Sequence, residues 1–578
     1  MAGRRGVWIF VLVVTLLGAI VFIAALQLRK PAEAQIASGS IVLDFDLPDE
    51  MEESQVPFRP FGRGLRAWSR PTLYEVVAGL REATTDDRVK GIIVRVGNLD
   101  WGWVKAYELH EALDHFREAG KPVYVSLSRA AELEYLIGSS GSLITMPPIE
   151  TLYLDGLSVT ALFYRGTFDK LGISPNFAQA GRYKTGVEPY LQTGLSAPAR
   201  EAMDALLDDQ YGQLTAVVGG SLDIPADSAR SLLEGGPYTG EQAVARGLVD
   251  TLVYAADLDS LLQDSLDDDV HTVDFENYLK RSHHQGGGHH IAYVAATGEI
   301  TSGRSEDRPG EDRVMGSESM VEVLNDVADR SAVKAVVLRV DSPGGVVEPS
   351  DEIWRAVERL AASKPVIVSM SDLDASGGYY LSAPATRIVA HPASITGSIG
   401  VYGGKFNLVG LMNKVGLSVE TLSRGRRASM MSPFTDFTPE EARIFKEHMT
   451  STYRMFLSRV ADGRGFSLAW ADSVGQGRVW SGASAYELGL ADTLGGIETA
   501  IALAMQEIGV KDRDDVTIDV YPKIELPWYA RFLQDMLDDD TPGMPRVDLP
   551  AGARAWIEAS SRNAALVLSR MPFDLRIR

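Results

Sequence analysis

Ser398 lies in the stretch Ala393-Ser-Ile-Thr-Gly-Ser-Ile-Gly-Val-Tyr-Gly-Gly404, among glycines that let another backbone come close. A serine so placed reads as a nucleophile. Its hydroxyl is weak near neutral pH, so it needs a base to take the proton and main-chain N–H donors to hold the oxyanion that forms. The chain contains no cysteine, which excludes a thiol mechanism, a cysteine zinc cluster and a disulfide. Two side chains compete as bases. His391 precedes Ser398 at a strand end, where a satisfied structural histidine is the plainer reading. Lys184 is distant in sequence, and an isolated lysine is ordinarily a solvated surface group.

A duplication makes Lys184 stand out. Val89-Lys-Gly-Ile-Ile-Val-Arg-Val96 returns as Val333-Lys-Ala-Val-Val-Leu-Arg-Val340, a shift of 244 residues from Val89 to Val333. Within the two copies, Gly181-Arg-Tyr-Lys-Thr-Gly-Val-Glu-Pro189 answers Gly425-Arg-Arg-Ala-Ser-Met-Met-Ser-Pro433, so Lys184 stands opposite Ala428. With Pro147 set opposite Pro392, Tyr153 occupies the place of Ser398. A serine kept in one copy and a lysine in the other suggest one site split between them. An ordinary lysine, with a pKa of about 10.4, is neutral in only about one molecule in 2,500 at pH 7, so a lysine base must be desolvated. A cleft between two domains can do that.

The elements that hold these residues follow from the repeat. Upstream of the paired strands, Val76, Val77 and Leu80 match Met320, Val321 and Leu324 at helical spacing; downstream, Lys121-Pro-Val-Tyr-Val-Ser126 matches Lys364-Pro-Val-Ile-Val-Ser369. Helix, strand, helix, strand implies an α/β fold with largely parallel sheets covered by helices, in two similar domains. Tyr238 to Asp250 answers Trp480 to Asp492 near the end of each copy, which places the repeats at residues 39–255 and 291–505. Residues 256–290, acidic and then rich in glycine and histidine, read as a linker, with a metal site on its histidines as the alternative. Residues 511–578 read as an appendage.

Composition bounds the partners. A formal charge of −22 argues against nucleic acid, whose phosphates would be repelled. Val7 to Leu26 carries no charged side chain, and its length suffices for about 30 Å of hydrocarbon at ~1.5 Å per residue. Residues 1–30 therefore read as a membrane anchor, and a cleaved secretory signal is the alternative. Arg4 and Arg5 on one flank and Arg29 and Lys30 on the other leave the orientation open.

Asp341-Ser-Pro-Gly-Gly345, Ser376-Gly-Gly-Tyr-Tyr380, Thr396-Gly-Ser-Ile-Gly400 and Gly181-Arg-Tyr-Lys184, in this order of division between the halves, resemble the signal peptide peptidase A family in its long, duplicated form. The resemblance runs from the anchor to about residue 505. It implies a membrane-bound protease of two tandem Clp-protease/crotonase-like domains, in which Ser398 attacks the peptide carbonyl and Lys184 is the general base. No metal or cofactor is implied. It further implies residual signal peptides as substrates, a ring-forming homo-oligomer (a tetramer), and a single-pass protein of the bacterial inner membrane with its body on the extracytoplasmic side.

The oxyanion donors are expected to be the main-chain N–H of Ile399 and that of Gly345, where two glycines after Pro343 let the backbone approach a bound carbonyl. An ordinary tight turn is the alternative for that glycine pair. Ser423 is a candidate to orient Lys184 through its hydroxyl. Ser376 is expected to cap a helix whose tyrosines line the core or the cleft. Two rival functions remain: a crotonase-type acyl-CoA enzyme, which shares the fold and a similar oxyanion hole, and a non-catalytic membrane scaffold.

Overall fold

The computed structural model describes residues 39–55, 70–258, 270–281, 286–305, 313–523 and 567–570. The expected anchor at residues 7–26 lies outside them, as does most of the stretch after residue 511. Among the described residues no helix is long and apolar enough to cross a membrane.

The first repeat is built on a parallel sheet. Its strands are β1 (Ser40–Asp46), β2 (Val89–Val96), β3 (Val123–Leu127), β4 (Leu143–Met146), β8 (Thr251–Leu252) and β9 (Val270–Asp274), ordered β8-β4-β3-β2-β1-β9. In β2 the neighbours Ile92, Ile93 and Val94 are all buried, as expected of a strand covered on both faces. The helix Leu73–Thr85 covers one face with Leu73, Val76, Val77 and Leu80. It starts where it does because Thr72 and Glu75 form a reciprocal cap: the Glu75 N–H donates to Thr72 Oγ1, and the Thr72 N–H donates to Glu75 Oε2 at 2.7 Å. Beside this sheet β5 (Thr151–Leu152) and β7 (Tyr238–Thr239) make a short antiparallel ribbon.

The second repeat copies the plan. Strands β10 (His289–Thr297), β13 (Val333–Ser342) and β15 (Val366–Ala375) form its centre, with β21 (Val516–Tyr521) on one edge. On the other side lie β17 (Ile395–Gly397) and β19 (Val479–Ser481), while β16 (Arg387–Ala390) and β20 (Thr493–Leu494) branch from β15. Each sheet is longer than the sequence repeat suggested. Strand β9 falls within the expected linker 256–290 and β21 within the expected appendage, yet each adds to the edge of its own sheet, beside β1 and β10 respectively. The histidine tract also ends as structure: His289 and His290 open β10, and His290 Nδ1 meets Asp519 Oδ2 of β21 at 2.9 Å.

A third sheet fastens the halves together. It contains β11 (Glu299–Thr301), β12 (Val314–Gly316), β14 (Gly344–Val346), β18 (Val401–Asn407) and β22 (Val567–Arg570), and at its far edge β6 (Ser174–Ala180) of the first repeat. The order is β12-β11-β14-β22-β18-β6. Strand β6 runs antiparallel to β18 in a register that sets Ala180 against Val401 and Ser174 against Asn407. The helices next to these strands, Arg165–Leu171 and Val409–Lys414, are repeat-mates and pack on each other, with Lys414 Nζ donating to the Lys170 carbonyl. The same repeat predicts a second seam of this kind. Residues 157–163 correspond to β18 and residues 418–424 to β6, and both pair with no strand among the described residues; Leu162 and Leu422 are 68% and 88% exposed.

The apolar core is continuous across the halves, joining Tyr107 and Leu113 to Tyr293, Val389 and Ile501. A buried charge cluster sits in it. Arg339 of β13 donates to both carboxylate oxygens of Glu108, at 2.9 and 2.7 Å, and to Glu53 at 2.9 Å. Its repeat-mate Arg95 pairs with Asp44 within the first repeat instead.

Candidate active site

The register of β6 on β18 delivers the lysine. Strand β18 begins three residues after Ser398, so the chain leaving β6 at Ala180 runs on past Gly400 toward Ser398. It turns at once: Gly181 has a φ of +110°, and its carbonyl accepts the Lys184 N–H at 3.2 Å. The Tyr183 N–H donates to the Gln476 carbonyl at 2.7 Å, tying the turn to the second repeat.

Lys184 is fully buried. Its Nζ lies 2.9 Å from Ser398 Oγ, 2.8 Å from the Ser398 carbonyl oxygen and 2.7 Å from Ser376 Oγ. Burial pushes its pKa well below the usual lysine range, because the ammonium would be stripped of water. A neutral amine has two N–H donors and one lone pair. It can donate to the Ser398 carbonyl and to Ser376 Oγ while its lone pair faces the Ser398 hydroxyl proton. The arrangement can therefore take a proton from Ser398.

Both serines are held in backbone conformations that serine disfavours. Ser398 has a φ of +52° and Ser376 a φ of +59°, each costing about 1–3 kcal/mol that the surroundings must offset. For Ser398 the N–H donates to the Arg478 carbonyl at 2.7 Å; for Ser376 it donates to the Gly397 carbonyl at 2.8 Å. Arg478 is itself fixed by its ion pair with Glu201 at 2.6 Å and by stacking over Trp480. Gly477 touches Lys184 so closely that a Cβ there would come within 2.5 Å of the lysine backbone, and its N–H donates to the Ile399 carbonyl at 2.8 Å.

The glycine pair of Asp341-Ser-Pro-Gly-Gly345 is required by geometry. A Cβ on Gly345 would lie 2.1 Å from the Ile300 carbonyl oxygen, and Gly344 has a φ of +93°. Ser342 Oγ accepts the Gly344 N–H and donates to the Gly298 carbonyl at 2.7 Å, which fixes the turn. Gly345 then enters β14, beside the start of the helix Gly377–Ser382. Between β14 and β18 runs β22, antiparallel to both, with Ser569 opposite Gly345 and Leu568 opposite Tyr402.

Two expectations change, and that for His391 holds. Ser423 is not the orienter: it lies on the exposed stretch after the helix Val409–Lys414, and the second hydroxyl on Lys184 is that of Ser376. Ser376 does precede a helix, but its side chain caps nothing there and turns to the lysine. Its neighbours Tyr379 and Tyr380 are core residues. His391 is structural, accepting the Ala393 N–H at Nδ1, meeting Glu111 at Nε2 and stacking on Tyr107. At the equivalent place in the other copies' pairing, Tyr153 and Ala428 are both exposed and form no dyad.

The model of peptidase family S49 matches residues 115–267 and 358–511, one segment in each repeat. This chain belongs to peptidase family S49. It is a serine protease, which decides against the acyl-CoA enzyme. It is 32% identical to "Serine protease SPPA, chloroplastic" of Arabidopsis thaliana over 79% of this chain and 68% of that protein. It is 28% identical to "Protease 4" of Salmonella typhi over 92% of this chain and 87% of that protein. It is 34% identical to "Putative signal peptide peptidase SppA" of Enterococcus faecium over 34% of this chain and 57% of that protein.

Proposed function

We propose that this S49 peptidase cleaves peptides with a Ser–Lys dyad, Ser398 as nucleophile and Lys184 as general base. The observation that carries the reading is a buried amine 2.9 Å from the hydroxyl of Ser398, depressed in pKa by desolvation. As Ser398 Oγ bonds to the scissile carbonyl carbon, its proton passes to Lys184 Nζ. The oxyanion is held by the N–H groups of Gly345 and Ile399, and such a donor is worth about 3 kcal/mol of barrier. The C–N bond breaks as the leaving amine takes the proton from Lys184. Lys184, neutral again, then takes a proton from a water that attacks the ester carbonyl, and it returns that proton to Ser398 Oγ as the acyl C–O bond breaks.

The substrates we assign are residual signal peptides and similar peptides released near a membrane, in keeping with the name of the Enterococcus faecium relative. Residues 7–26 would anchor the chain in the bacterial inner membrane, with two Clp-protease-like domains on the extracytoplasmic side and several copies forming a ring, a tetramer. The test is a proteomic cleavage profile of wild-type protein against Ser398→Ala, with a fluorophosphonate probe on both. Cleavage products and labelling should vanish together in the variant. Near-wild-type turnover in purified Ser398→Ala would remove the assignment.

A further inference from the structure

The dyad is not the only cluster divided between the repeats. Lys105, in the first turn of the first-repeat helix Trp103–Glu118, reaches into the second repeat, where its Nζ donates to Asp341 Oδ2 at 2.6 Å and to Asp372 Oδ2 at 2.7 Å. Asp341 immediately precedes Ser342-Pro343-Gly344-Gly345, and Asp372 lies four residues before Ser376. The ladder between β13 and β15 is irregular there, its register shifting between Val340 and Ser342. Asp341 Oδ1 bridges the gap by accepting the Leu373 N–H at 3.2 Å. Asp372 Oδ1 accepts the Val104 N–H at 2.8 Å, so a carboxylate of the second repeat caps a helix of the first. Gly102 admits this approach, since a Cβ there would meet the Asp372 carboxyl carbon at 1.9 Å.

The distribution is the same as that of Ser398 and Lys184. The helix Val347–Ala361 is the repeat-mate of Trp103–Glu118, and Pro349 occupies the place of Lys105. Gly97 stands opposite Asp341, and Arg129 opposite Asp372 in the register of Lys121-Pro122 on Lys364-Pro365. Neither the cation nor its acids are repeated in the copy that would complete the other, empty pairing.

We propose that Lys105 is a positioning residue for the oxyanion pocket: its ammonium clamps the ends of β13 and β15, fixing the Gly344-Gly345 turn relative to Ser376. Without it two neighbouring carboxylates in a low-dielectric site face each other at the bulge and push the strands apart. The displacement falls on the N–H donor of Gly345, which meets the oxyanion of the transition state, and so costs the transition state more than the ground-state complex. This rests on the assignment of Ser398 and Gly345.

The experiment compares wild type, Lys105→Met and Asp372→Asn as full-length protein on one peptide substrate. It adds inhibition constants for a peptide aldehyde, whose adduct with Ser398 places an oxygen at the N–H donors, and for a cleaved product peptide. Lys105→Met should lower kcat at least tenfold, leave KM within about twofold, weaken the aldehyde in parallel with kcat/KM and leave the product peptide unaffected. Asp372→Asn, which keeps an acceptor for Val104, should shift the same quantities in the same direction by about threefold or more, and it decides the matter if Lys105→Met does not fold. Unchanged kcat in the folded variants, or a loss confined to KM, overturns the inference. A wild type with no turnover that Ser398→Ala abolishes would instead overturn the assignment beneath it, and the inference with it.

Discussion

Burial depresses the pKa of Lys184, and the same depression ties stability to pH. Between the folded and the unfolded lysine pKa the unfolded chain holds the extra proton, so stability rises with pH across that window. Lys184→Met should therefore be inactive yet more stable near neutral pH, with a melting temperature higher on the order of a few degrees. The gain should disappear above the ordinary lysine pKa, and calorimetry over a pH series checks it. The proton-transfer role predicts the activity side. Turnover should rise with pH as Lys184 loses its proton, with a midpoint below the ordinary lysine value, and Lys184→Arg should be inactive because arginine stays charged. A flat rate from about pH 6 to 10 would remove the base role. At this scale the sequence was informative where the copies disagreed: Ser398 against Tyr153, Lys184 against Ala428. Ser376 was misjudged because Ser-Gly-Gly before a helix reads as a cap, and only its φ of +59° turns the hydroxyl toward the lysine. Gly477 and Arg478 carried no local signal, since the contacts that matter to the site, with Lys184, Ile399, Ser398 and Glu201, are to chain segments far away in sequence.

Strand β6 is the element on which the site depends, because it belongs by sequence to one repeat and by pairing to the other. Ala178 stands opposite Gly403 in that ladder. Proline at 178 would remove an N–H from the ladder and clash with its neighbours, at about 3 kcal/mol or more if the strand cannot bulge away. Ala178→Pro should lose most peptide hydrolysis, with Lys184 no longer held at Ser398, while far-UV circular dichroism stays close to wild type. Intact turnover would show that the lysine loop reaches the serine without its strand. Central strands such as β2 and β13 were legible as apolar runs, whereas the crossing of β6 was not, because residues 174–180 (Ser-Pro-Asn-Phe-Ala-Gln-Ala) have neither an apolar run nor a clear alternation. The edge strands β9 and β21 escaped for a related reason: an acidic stretch or a loss of pattern precedes each, and a short edge strand gains its shape from its neighbour.

Among the described residues of the whole molecule, one seam is made and the two halves of another are unmade. In the proposed ring, residues 157–163 of one copy would pair with residues 418–424 of the next as heterologous surfaces, and repetition of that contact would close a ring or continue as a filament. Leu422 is the repeat-mate of Ala178. Leu422→Pro should therefore act oppositely to Ala178→Pro: it should reduce the mass measured by light scattering toward that of one chain and leave peptide hydrolysis within about twofold. Because Lys184 and Ser398 of the same chain stand 2.9 Å apart, coexpressed Ser398→Ala and Lys184→Ala chains should recover no activity. Recovery in the mixture would mean that sites are shared between chains.

The position of β22 bears on which peptides can be cut at all. One strand fits between β14 and β18, where neighbouring strands lie about 4.8 Å apart, and a helix with its side chains is about 10–12 Å across. A helical or folded segment has also committed its N–H and C=O groups elsewhere, whereas an extended one offers them on both edges. A substrate strand that took the place of Val567–Arg570 would make this slot a gauge of conformation: the peptide would have to be unwound before any side chain is inspected, and native domains would be spared by their own hydrogen bonds rather than by the absence of a cleavable sequence.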